Sequence, residues 1–203
     1  MKRIIVPLVC CIMTLCSFQV KNDTVTVKQV ESDLPVIIRY DNIKDYIFRI
    51  QFPLVFKICN MSDDKKQMGH IAYYYKDIEY ALSYEQGWNY NVLIHRMEKG
   101  ELLCPYRKGR IMIDSLATEN LVFQTGHSIR YEDTALQSVF GSFIPIMKES
   151  GKDTLHIGTI RTLKGKYPEM TETLLGNDSI QFWIYTPWSD DKGIHFVLPV
   201  EQK

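Results

Sequence analysis

At 203 residues, with 45% hydrophobic and 24% charged residues, the chain has enough apolar material for a sizeable core and falls outside the disordered class. Its formal net charge is zero, and its basic residues come as scattered pairs, which excludes the phosphate-neutralising field that nucleic-acid binding requires. No internal repeat, low-complexity tract or Pro/Gly/Ser-rich linker divides it, so one domain is expected over residues 18–203.

The first 17 residues are a different material. Lys2 and Arg3 precede an apolar run of about 12 residues, Ile4 to Leu15, and small residues Cys16 and Ser17 offer cleavage before Phe18 or Gln19. This is the order of a secretory signal peptide, and the run is shorter than the roughly 20 residues a bilayer requires. The chain is therefore expected to be exported, periplasmic or secreted, with no transmembrane span after cleavage. A lipid-anchored envelope protein is the alternative, disfavoured because Cys16 directly follows Leu15 with no small residues between.

Strand signals follow. Val25 and Val27 alternate with Thr24 and Thr26, and Val36 to Tyr40 forms a second short run after Pro35. From Tyr46 to Cys59 every even position is apolar, which predicts two consecutive strand segments sharing one core face, with a bend or edge at Pro53. After the polar turn Asn60 to Asp64, strands are expected at His70 to Tyr75, at Ile78 to Tyr84 and at Tyr90 to Met97, a helix over Asp77–Gln86 being the rival for the middle one. Further short strands are expected around Ile111 and Ile113 and over Leu121 to Gln124. Leu136, Val139, Phe140 and Phe143 fall at helical spacing, with Thr134 and Gln137 placed as a capping box and Pro145 as the stop. Leu155 to Ile160 reads as a strand, and Pro168 to Leu175 as a short helix closed by Gly176. A hairpin ends the chain: Ile180, Phe182 and Ile184 should face the core opposite Ile194, Phe196 and Leu198.

Many short strands with turns every 8 to 12 residues or so predict a mainly all-β antiparallel sandwich with one or two short helices in its connections. The segment Phe56-Lys57-Ile58-Cys59-Asn60-Met61-Ser62 resembles the strand-to-turn segment of immunoglobulin-like domains in exported bacterial proteins. What the resemblance implies is architecture, an immunoglobulin-like sandwich, and no activity.

Catalytic chemistry is not expected from the motifs. The five histidines lack His-x-His or His-Glu-x-x-His spacing, and no Gly-rich phosphate loop occurs, so neither metal nor cofactor is expected. Gly126-His127-Ser128-Ile129-Arg130 starts as a nucleophile elbow does but ends on Arg130 where close packing needs glycine, so a turn after Gln124 is expected instead.

Aromatic residues carry the strongest binding signal. Tyr74, Tyr80, Tyr84, Trp88 and Tyr90 crowd one span, and Trp88 and Trp188 fall in expected turns, where an aromatic side chain not folded back on the core is exposed. A non-catalytic protein that binds another protein, such as a partner subunit or a neutralised toxin, is the first expectation. The alternative is a carbohydrate-binding module or glycan-acting enzyme using the same Tyr/Trp cluster. Cys59 and Cys104, left after signal removal, are a candidate disulfide in an oxidising compartment, the alternative being two unpaired thiols.

Overall fold

A computed structural model describes residues 19–21, 24–76, 78–79, 94–98, 101–103, 111–190 and 192–203. The signal segment, Tyr80, Tyr84, Trp88, Tyr90 and Cys104 lie outside the described residues. The protein is mostly β, and every strand pairing among the described residues is antiparallel.

The first sheet has the order β1-β2-β5-β11-β8-β9, built from Gln19–Lys21, Val25–Val30, Pro53–Asn60, Thr118–Gln124, Ile94–Glu98 and Glu101–Leu103. A second has the order β10-β6-β14-β15, from Met112–Ile113, Lys66–Tyr75, Ser179–Tyr185 and Ile194–Pro199, with β7 (Ile78–Glu79) paired to β6. The two meet through their apolar faces: Phe56 and Phe182 pack edge to face at 5.0 Å, among fully buried Val27, Ile58, Leu121, Ile71 and Phe196. At one margin Gln29, 1% exposed, holds the chain end to β2, its Nε2 donating to Glu201 O at 2.7 Å while Oε1 accepts from Glu201 N at 2.8 Å. A third, smaller sheet runs β12-β4-β3-β13, from His127–Ser128, Tyr46–Gln51, Ile37–Asp41 and Thr154–His156.

The Tyr46–Cys59 run behaves as its alternation demands from Ile50 onward. Ile50, Phe52, Leu54, Phe56 and Ile58 are all fully buried, and the break falls at Phe52, where the chain leaves the third sheet for the first. Upstream the parity is different: Ile47 is fully buried while Tyr46 and Phe48 are half-exposed. A register shift between Arg39 and Tyr40 is the reason, because Arg39 pairs with Arg49 but Tyr40 pairs with Ile47, leaving Phe48 as an extra residue that reverses the faces. The C-terminal hairpin has the expected register, with Ile180 opposite Leu198, Phe182 opposite Phe196 and Ile184 opposite Ile194.

Four short helices, rather than one or two, occupy the described connections: α1 (Thr134–Phe140), α2 (Ile144–Ser150), α3 (Ile160–Lys166) and α4 (Pro168–Leu175). Asp133, one residue before the expected cap, caps α1 by accepting from Leu136 N at 3.1 Å. Gln137 instead brackets Ile47 of β4, donating to its carbonyl at 2.8 Å and accepting from its amide at 3.2 Å. Pro145 opens α2 instead of ending α1, since a missing N–H costs nothing in a first turn. Beyond His156 the expected strand gives way to α3, whose start is capped by Thr159 Oγ1 accepting from Thr162 N.

Candidate binding surface

Three connections meet at one end of the sandwich because β5, β10 and β14 all end there while β6, β11 and β15 begin; their described residues are 61–65, 114–117, 186–190 and 192–193. Asn60, 2% exposed, organises two of them. Its Nδ2 donates to the carbonyls of Asp64 at 2.7 Å and Asp114 at 2.9 Å, and its Oδ1 accepts from Ser62 N at 3.1 Å. Backbone bonds from Asn60 N to Ala117 O and from Leu116 N to Ser62 O complete the tie. The third connection joins through Lys66, whose Nζ donates to Thr186 Oγ1 at 2.7 Å.

This end displays apolar side chains. Trp188 is 98% exposed, Leu116 69% and Met61 43%, one in each loop. Leu116 and Trp188 also hold positive φ, 55° and 66°, and they are the only hydrophobic residues to do so among the described residues. That conformation costs an L-residue about 1–2 kcal/mol. Pro187 followed by a positive φ at residue 188 is the pattern of a type II turn, whose third position favours glycine. A large aromatic residue kept there, strained and fully exposed, serves neither packing nor turn formation, and such strain collects at functional sites. The rim is charged: Lys65 and Asp114 pair at 2.8 Å, and that hydrogen bond holds the Asp114 carboxyl below its usual range.

A second aromatic surface lies on the outer face of the second sheet. Trp183 stacks with Tyr185 at 4.7 Å and lies nearly parallel to His195 across the strand pair at 6.1 Å. Gly69 and Gly193 make room for it, since a Cβ on either would sit 2.4 Å from Trp183 Cε3 or 2.3 Å from Trp183 Nε1. Tyr74 shares this face, its hydroxyl donating to Gln181 Oε1 at 2.9 Å. Tyr74 pairs with Ser179, however, whereas Trp188 follows the opposite end of β14, about 20 Å away at 3.3 Å per residue. The structure does not bring those two candidates together. Cys59 carries a free, half-buried thiol that accepts from Thr118 Oγ1 at 3.3 Å.

One arrangement has the outline of a catalytic triad. Thr125 Oγ1 lies 3.0 Å from His127 Nδ1, and His127 Nε2 lies 3.0 Å from Asp178 Oδ2. Tyr73 Oη donates to the same carboxylate oxygen at 2.5 Å and Lys76 N to the other at 3.0 Å. The hydroxyl is no nucleophile, because Thr125 is 1% exposed and already accepts from Phe52 N at 2.9 Å. The Asp178 carboxylate only accepts, so Nε2 donates to it and in the neutral ring Nδ1 accepts from the Thr125 hydroxyl. Phe52 and Thr125 are the residues at which β4–β5 and β11–β12 change sheets, so the network fastens a corner of the fold. Ser128 lies on β12, opposite Arg49, and not on the strand-to-helix turn of a nucleophile elbow.

Among the described residues, no group of three or more His, Cys, Asp or Glu side chains is arranged to hold a metal ion, and no helix is long and apolar enough to cross a membrane. Sequence reasoning found Trp188 through its turn context but missed Met61, Leu116 and Lys66, which carry no local motif. Comparison with family models, with curated proteins and with solved structures finds no match to this chain.

Proposed function

We propose that the chain is a non-catalytic, exported β-sandwich protein that binds another protein through the end formed by residues 61–65, 114–117 and 186–190. One observation carries the proposal: Trp188, 98% exposed, is held at positive φ in one of three loops that each present an apolar residue. An exposed tryptophan on a surface of tied loops that also carries a charged pair has the composition of an interface hot spot. Kinship with immunoglobulin-like domains belongs to the same proposal, since those sandwiches bind through loops gathered at one end. Export rests on the N-terminal charge and apolar run.

The test is recovery of tagged protein from its producing cells after chemical crosslinking, comparing wild type with Trp188→Asp and Leu116→Asp. A discrete protein adduct present in wild type and lost in both variants, with unchanged melting temperature, supports the proposal. An adduct indifferent to both substitutions overturns it. The glycan alternative draws on the outer face, where Trp183, Tyr185 and His195 form an aromatic row beside Gln181. Binding on a glycan array that Trp183→Ala abolishes and Trp188→Asp leaves intact would favour that alternative.

A further inference from the structure

Lys66 opens β6 at the loop end. Ile113 pairs with it on one side, and on the other its ammonium donates to Thr186 Oγ1 at 2.7 Å. The residue is only 5% exposed. An ammonium group carries three protons, and here one has an acceptor; among the described residues Lys66 has no carboxylate partner. Among the described acids of the loops none supplies one: Asp114 is engaged by Lys65, and Asp63, Asp64 and Asp190 stand exposed. A buried charge is expected to be paired, because removing it from water is unfavourable unless a counter-charge or hydrogen bonds replace the lost hydration.

We propose that Lys66 is the anion-accepting centre of the loop end, taking an aspartate or glutamate carboxylate of the protein partner while Trp188 and Leu116 receive the apolar residues around it. This rests on the protein-binding function proposed above and adds the chemistry of the partner's anchor. Complementarity has the usual form of a desolvated charge pair inside an apolar surround, with the Lys65–Asp114 pair left on the wet rim.

The experiment titrates ¹⁵N-labelled protein with N-acetyl-aspartate methylamide, with its asparagine counterpart and with inorganic phosphate, following backbone amide shifts. Saturable shifts at Lys66, Thr186 and Trp188 are expected with the aspartate compound alone. In Lys66→Met they should be at least about tenfold weaker, the variant remaining folded because an apolar stem of similar length fills the same space. Lys66→Arg, which keeps the charge, should retain them. Absence of any shift, equal shifts with asparagine or phosphate, or shifts that survive in Lys66→Met would overturn the proposal. Should Lys66→Met fail to fold, the three-way comparison on wild type decides alone. A crosslinked adduct lost in Trp188→Asp but retained in Lys66→Met leaves protein binding standing and removes the carboxylate anchor.

Discussion

Replacing Asp178 with alanine strands two buried donors, Tyr73 Oη and His127 Nε2, and the part-buried Lys76 N, now 2.5, 3.0 and 3.0 Å from the carboxylate. Tyr73 and His127 are 2% and 3% exposed, so water does not readily replace the lost acceptor. Each unsatisfied buried donor costs about 1–3 kcal/mol, and partial rearrangement makes the sum less than additive, which puts Asp178→Ala at roughly 4 kcal/mol. Against a total stability of about 5–15 kcal/mol that is a large fraction. For a chain of this size it corresponds to a fall in melting temperature of about 8–16 °C. Urea unfolding followed by tryptophan fluorescence measures it, with Asp190→Ala as a surface control expected within about 0.5 kcal/mol of wild type. Tyr73→Phe removes one donor and leaves the carboxylate two, so a loss of about 1.5 kcal/mol is expected. A loss below about 1 kcal/mol for Asp178→Ala would show that the network does not fasten the corner.

Trp188→Gly should leave the melting temperature unchanged or raise it, because relief of the positive φ at residue 188 outweighs or matches the entropy glycine loses on folding; a fall of several degrees would mean that the ring packs on something. Gly69→Val should displace Trp183, whose Cε3 lies 2.4 Å from the new Cβ position, lowering stability by about 1–3 kcal/mol and altering the near-ultraviolet circular dichroism. The Asp45 carboxyl, held below its usual range chiefly by the hydrogen bond from Lys148 and then by that from Tyr40, contributes stability that is present above its unfolded pKa and lost as pH falls through the lower folded value. Carboxyl NMR titration should place its midpoint below 3.8 in wild type and move it upward in Lys148→Met; an unmoved midpoint would break the assignment.

Strands were legible where one face is buried and the other wet, since alternation then reports geometry directly: the final hairpin and the Ile50–Ile58 stretch needed nothing more. Alternation assumes unbroken pairing, which is why the extra residue opposite the Arg39–Tyr40 step reversed Tyr46, Ile47 and Phe48 without any local sign. Pro145 was ambiguous because proline both stops one helix and starts another, and the turn over residues 141–143, which ends α1 before the proline, decides. The corner network was invisible for a different reason. His127 finds Asp178 and Tyr73 more than 50 residues away in either direction, and no spacing rule spans such distances. Trp188 was legible because Pro-Trp in a turn leaves the ring few places to go. Leu116 and Met61 were not, since their exposure follows from backbone bonds among Asn60, Ser62, Leu116 and Ala117.

The central claim is that the loop end contacts a protein partner, and position-specific photo-crosslinking in the producing cell tests it most directly. A photoreactive residue placed in turn at positions 61, 116 and 188 should give one adduct of common mass. The same residue at position 43, 91% exposed at the tip of the β3–β4 hairpin, and at position 197, 53% exposed on the outer face, should give none. Adducts from position 197 alone, or from all five positions equally, would contradict the account.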